Sequence, residues 1–178
     1  MPEIGEKAPD FNALDNNQQR FILSSQVKKG KVLLAFYPAD NTPVCTAQLC
    51  DYRDHLEDFK GLNVQVVGIS ISTHEKQSEF AKKQEFNFPL LNDYDSRITH
   101  KYDVMSFTGH PKRAVFLIDE NQKIIFKHVE FLAITRRTSD ELLEKIKSFL
   151  PKEEKAQKTE SSVASDASNK EENTQAAH

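Results

Sequence analysis

The stretch KVLLAFYPADNTPVCTAQLC, residues 31–50, changes character in the middle. Its first part, KVLLAFYP (31–38), is an apolar run rich in branched and aromatic residues, as in a strand covered on both faces. Its second part opens with Thr42-Pro43, a capping residue followed by a proline at the first helical position, and predicts a helix from Pro43. That helix holds Cys45 and Cys50, the only two cysteines of the chain. Counting on from Cys45, the residues Leu49, Tyr52, Leu56 and Phe59 follow at intervals of four, three, four and three, so Cys45 heads the inward stripe. Cys50 is turned by about 140° from it, at ~100° per residue, onto the side of Thr46, Arg53 and Glu57.

Outward from this stretch, strands alternate with helices. NVQVVGISIS (63–72), AVFLID (114–119) and KIIFKHV (123–129) predict further strands, the first two covered on both faces. Asp119-Glu120-Asn121-Gln122 is a short polar turn, which makes the last pair an antiparallel hairpin. Ser72-Thr73-His74-Glu75 reads as a capping box opening a helix to about Gln84. Thr138-Ser139-Asp140-Glu141 reads as another, ahead of Leu142, Leu143, Ile146, Phe149 and Leu150 at helical spacing. The order predicts an α/β domain with a mixed, covered sheet, compatible with a thioredoxin-like core.

The chain has 178 residues and a formal charge of −3, with acids and bases interspersed. One domain is expected at this length, over residues 1–150. From Pro151 the sequence PKEEKAQKTESSVASDASNKEENTQAAH holds no aromatic residue and one branched apolar residue, Val163. Such a segment cannot bury enough surface to offset its ordering entropy, so 151–178 is expected to be a disordered polar tail. Basic residues cluster only in pairs such as Lys82-Lys83 and Arg136-Arg137, so neither nucleic acid nor a membrane surface is an expected partner. No run approaches the roughly 18 apolar residues of a membrane span. The opening MPEIGEKAPDF lacks the basic start and apolar run of a secretory signal. Two closely spaced thiols suit catalysis or metal binding in a reducing compartment, and a cytoplasmic setting is expected.

A cysteine in the first turn of a helix meets free backbone N–H groups and the positive end of the helix dipole. Thiols so placed ionise more easily, typically in the range ~3.5 to 7.5. The same position also suits a small buried hydrophobe. On an ideal helix, residues five apart have Cα atoms roughly 8.5 Å apart, whereas a disulfide needs roughly 4.4 to 6.8 Å. Either Cys45 and Cys50 never bond, or the first turns of the helix unwind when they do.

Pro38, Thr42 and Cys45 in the spacing P-x3-T-x2-C match the proline-threonine-cysteine signature of peroxiredoxins. The longer FYPADNTPVCTAQLCDYRD (36–54) resembles the Q-type, or bacterioferritin-comigratory, subfamily. IGEKAPDF near the start and PKRAVFLID (111–119) resemble further segments of that family, and the similarity spans about residues 3–150. The resemblance implies a thioredoxin-like fold, a mixed central sheet flanked by helices with an N-terminal β extension. It implies a peroxidase in which Cys45 attacks hydrogen peroxide or an organic hydroperoxide and becomes a sulfenic acid. Cys50 would then condense with that acid to form an intramolecular disulfide. Thr42 would offer its hydroxyl to the sulfur and the peroxide, Arg113 would hold the anion, and Pro38 would shield the sulfur from water. Thioredoxin or a similar dithiol would reduce the disulfide, with no metal or organic cofactor. An intrachain resolving cysteine removes the need for a partner subunit, so a monomer or weak dimer is expected.

Each of these residues also has a plainer reading: Thr42 as a helix cap, Arg113 as a surface cation and Pro38 as the end of a strand. Two positions depart from the subfamily's usual pattern: Val44 stands where glycine is common, and Gln48 where glutamate is common. Gln48 can still bond Arg113 but brings no charge to it. Two alternative functions remain open from the residues. A metal-binding or redox-sensing module would use Cys45, Cys50 and a histidine such as His55 or His74, without a second cysteine pair. A thioredoxin-like disulfide reductase would be expected to carry C-x-x-C, which the chain lacks.

Overall fold

The computed structural model describes residues 1–130 and 136–149. The chain divides into two units, Met1–Leu143 and Glu144–His178. Among the described residues, the first unit carries every strand. The tail expected from Pro151 lies outside the described residues.

The first unit begins with a two-stranded antiparallel hairpin, β1 (Asn12–Leu14) and β2 (Arg20–Ile22). A short helix α1 (Leu23–Gln26) and a 3-10 turn lead into β3 (Lys31–Phe36). Then come α2 (Pro43–Asp54), α3 (Leu56–Gly61), β4 (Val64–Ser70), α4 (His74–Lys83), β5 (Leu90–Asn92) and α5 (Arg97–Lys101). The hairpin β6 (Ala114–Ile118) and β7 (Ile124–Val129) precedes helix α6 (Ser139–Phe149). The main sheet runs β5-β4-β3-β6-β7, with β3, β4 and β5 parallel and β6 and β7 antiparallel. This is the mixed thioredoxin-like sheet flanked by helices, with an N-terminal β extension.

Strand β3 is central because it is apolar on both faces. Val32, Leu34 and Phe36 point into one core with Val67, Ile69, Tyr102, Phe116 and Ile118. The rings of Phe36, Tyr102 and Phe116 meet there at 5.1–5.9 Å. On β4, a Cβ built on Gly68 would lie 2.6 Å from Leu90 Cδ2, 3.3 Å from the Tyr37 ring and 3.8 Å from Leu49 of α2. Only glycine lets these side chains approach the strand so closely. The antiparallel pairing of β3 with β6 sets Phe36 opposite Ala114. Arg113 therefore stands level with the loop that leaves β3 for α2, which is how two distant segments converge.

Two helix boundaries differ from the sequence reading. The stripe from Cys45 to Phe59 is buried throughout, but the helix breaks at His55 into α2 and α3. There the Asp51 carbonyl accepts from the His55 amide at 3.2 Å, from the His55 ring Nδ1 at 2.9 Å and from Ser139 Oγ at 2.9 Å. The ladder bond from the His55 amide is kept, and the break comes at His55 itself, whose φ of −106° and ψ of 17° leave the helical region. At α4 the cap is Thr73 rather than Ser72, its hydroxyl accepting from the Lys76 amide at 3.5 Å. The second capping box holds: the Thr138 amide donates to Glu141 at 3.1 Å and the Glu141 amide donates to Thr138 Oγ1 at 3.4 Å.

Candidate active site

The loop from Tyr37 to Thr42 carries the chain from the sheet to the helix of the thiols. It is anchored from below. The buried Tyr37 hydroxyl donates to Asp40 Oδ1 at 2.7 Å, and Ser70 Oγ at the end of β4 reaches the same oxygen at 3.4 Å. Gln77 of α4 donates to Ser70 Oγ at 3.1 Å and to the Leu91 carbonyl at 3.0 Å. Burial, reinforced by the Asp40 charge, pushes the Tyr37 phenol well above its ordinary value, so it stays a donor. Asn41 takes a left-handed φ of +59°, which asparagine tolerates, and turns the chain into Thr42.

Thr42 caps α2 with extended backbone, its carbonyl accepting the Thr46 amide at 2.8 Å. Its hydroxyl makes no capping bond and donates instead to the Ala39 carbonyl at 3.3 Å. Offering that proton to a sulfur or a peroxide would require the hydroxyl to turn. Pro38 is half-buried on the same loop.

Cys45 lies in the first turn of α2 and is 1% exposed. The Arg113 guanidinium, 3% exposed, donates through Nη2 to the Cys45 sulfur at 3.3 Å. Arg113 is thus no surface cation. Its Nη1 donates to Gln48 Oε1, one turn below Cys45 on the same helix. Gln48 in turn donates to the Tyr52 hydroxyl at 2.8 Å, and Tyr52 donates to the Arg137 carbonyl at 3.0 Å. Sequence reasoning placed Tyr52 only in the apolar stripe. The available signal was that a buried tyrosine needs a partner for its hydroxyl.

Cys50 stands apart from this cluster. It is half-buried on the opposite side of α2, with its sulfur donating to Gln84 Oε1 at 3.5 Å beyond the end of α4. Arg53 holds the Gln84 carbonyl. Both thiols are free, and both sit on one continuous helix, where residues five apart cannot bridge. The later turns of α2 are also held from the start of α6. Asp51 accepts the Ser139 amide at 2.7 Å and faces Arg136 at 3.6 Å, while Arg136 also donates to the Ala47 carbonyl at 3.3 Å. Sequence reasoning did not find this clamp, which joins residues far apart in the chain.

Among the described residues no group of three or more His, Cys, Asp or Glu is placed to hold a metal ion, and no helix is long and apolar enough to cross a membrane.

Residues 4–127 match the family model described as the AhpC/TSA family. The chain is 34% identical over 153 residues to Peroxiredoxin 2 of Picrophilus torridus, covering 82% of this chain and 75% of that protein. It is 38% identical over 129 residues to Peroxiredoxin Bcp of Escherichia coli, covering 68% and 82%. Its fold superposes on the crystal structure of Peroxidoxin BcpB from Mycobacterium tuberculosis with a TM-score of 0.77 and 30% identity, over 85% of this chain and 100% of that one.

Proposed function

The chain belongs to the AhpC/TSA family and is a thiol-dependent peroxidase, and from that premise we propose that Cys45 is its nucleophile and Cys50 its resolving thiol. The observation that carries this reading is the Arg113 guanidinium 3.3 Å from the Cys45 sulfur, with both groups buried. A fixed positive charge in a water-poor site favours negative charge on the sulfur and on the oxygen that develops charge as the peroxide bond breaks. Cys50 sits half-buried on the far side of the helix, its sulfur bonded to the neutral Gln84 side chain.

In the first step the Cys45 thiolate attacks one oxygen of ROOH. The S–O bond forms, the O–O bond breaks, and the departing RO⁻ takes up a proton as ROH, leaving a sulfenic acid. In the second, the Cys50 sulfur displaces hydroxide from that acid, the S–S bond forms, and water leaves. A dithiol such as thioredoxin then reduces the disulfide through a mixed disulfide. Pro38 covers the sulfur, and Thr42, once its hydroxyl turns from Ala39, donates to the peroxide. A reducing, cytoplasmic setting supplies the dithiol, and the sulfur chemistry calls for no metal or organic cofactor. The second step needs α2 to unwind, since the intact helix holds the thiols apart.

The test is Cys45→Ser. Peroxide consumption coupled to a dithiol reductant should fall to the uncatalysed rate, because a serine hydroxyl is a far weaker nucleophile at neutral pH. Wild-type turnover in that variant would remove the proposal.

A further inference from the structure

Gln48 bridges Arg113 and Tyr52, and its amide has two unlike ends, one accepting and one donating. A guanidinium can only donate, so the end toward Arg113 must be the carbonyl oxygen. The NH2 then faces Tyr52 and needs an acceptor. Tyr52 is one because its single hydroxyl hydrogen already goes to the Arg137 carbonyl at 3.0 Å. Burial pushes the Tyr52 phenol far above its ordinary value, so it keeps that hydrogen at physiological pH. Donors therefore point one way along the line. Arg113 gives to Cys45 and to Gln48, Gln48 gives to Tyr52, and Tyr52 gives to the backbone at Arg137.

We infer that Tyr52 is a positioning residue for the peroxidase reaction: its hydroxyl, aimed by the Arg137 carbonyl, fixes the Gln48 amide so that the carbonyl holds the Arg113 guanidinium at the Cys45 sulfur. The inference rests on the reading of Cys45 as the nucleophile. With Gln48 1% and Tyr52 0% exposed, bulk water does not replace a lost partner at either group. Remove the hydroxyl, and the Gln48 NH2 loses its acceptor. The amide is then free to turn over and set its donors against those of the guanidinium.

The Tyr52 ring also packs edge-on against Phe59, with centroids 6.0 Å apart. Tyr52→Phe keeps that packing and removes only the oxygen. A double-mutant cycle separates positioning from packing. In the Gln48→Glu background both side-chain oxygens accept, so Arg113 is bonded whichever way the carboxylate turns, and Tyr52 is no longer needed to orient it. The primary readout is the second-order rate of Cys45 oxidation by hydrogen peroxide. The rate of iodoacetamide alkylation at Cys45, followed by peptide mass, is a second readout independent of peroxide chemistry.

Tyr52→Phe should slow the peroxide reaction about three- to tenfold with Gln48 present, within the range that one hydrogen bond's net free energy spans. In the Gln48→Glu background the same change should cost less than about twofold, because no amide is left to orient. Alkylation should follow the same pattern. An equal loss in both backgrounds, or no loss with Gln48 present, would overturn the inference. If the wild-type chain itself fails to oxidise Cys45 with peroxide, it is the proposed function that fails, and the alkylation ratios still judge the positioning role.

Discussion

The Nη2 of Arg113 lies 3.3 Å from the sulfur of Cys45, and the contact exists because Ala114 pairs with Phe36 across two antiparallel strands. Strand register fixes the height of the guanidinium, and the loop anchored by Tyr37 and Asp40 fixes where the helix begins. The sheet and the loop thus bring the two backbones together, and the Gln48 carbonyl holds the guanidinium at the sulfur.

Replacing that guanidinium should slow peroxide reduction without unfolding the domain. Arg113→Met is expected to lower the second-order rate with hydrogen peroxide on the order of 10²-fold, the scale seen when one preorganised donor is removed from a developing oxyanion. Arg113→Lys should recover only part of it, since an ammonium cannot bond Cys45 and Gln48 together with a planar fork. Stopped-flow oxidation of the reduced variants checks both, and a lysine variant at the wild-type rate would deny the fork its role.

Cys50→Ser separates the two thiols by function. The variant should consume about one peroxide per chain at an unchanged initial rate, because Cys45 keeps its partners, and then stall or overoxidise. Thioredoxin-dependent turnover persisting without Cys50 would transfer the resolving role elsewhere.

Disulfide formation should loosen the helix that separates the thiols. Asp51, clamped by Ser139 and facing Arg136, and Cys50, bonded to Gln84, hold the later turns of α2. The first turn has the Thr42 carbonyl bond and the Arg113 contact. Amide hydrogen exchange should accelerate across residues 43–53 on oxidation, and unchanged protection in a confirmed Cys45–Cys50 disulfide would contradict the unwinding step.

The α/β order, the central strands and the thiol helix were legible because β-branched runs and a Thr-Pro start are local signals. Cys45 at the head of a buried stripe was equally legible from spacing. Pieces built from few residues were not. Strand β5 has three residues and α5 five, too short for any periodicity to register. The break at His55 escaped because the apolar stripe continues across it at unbroken helical spacing, from Tyr52 to Leu56 and Phe59. In the site, the resemblance supplied the expectation for Arg113, but the hydroxyl of Thr42 points to Ala39 for a reason that lies in loop geometry. The line from Gln48 through Tyr52 to Arg137 ends on a backbone carbonyl, an acceptor every residue owns and no sequence pattern marks.

Peptide mass mapping of the reduced chain after one equivalent of hydrogen peroxide is the most direct measurement. The expected product is a single crosslink joining Cys45 to Cys50, with a sulfenic acid trapped at Cys45 when Cys50 is replaced by serine. Peroxide consumed while Cys45 remains an alkylatable thiol, or first oxidation at Cys50, would contradict the assignment of Cys45 as the nucleophile beside Arg113.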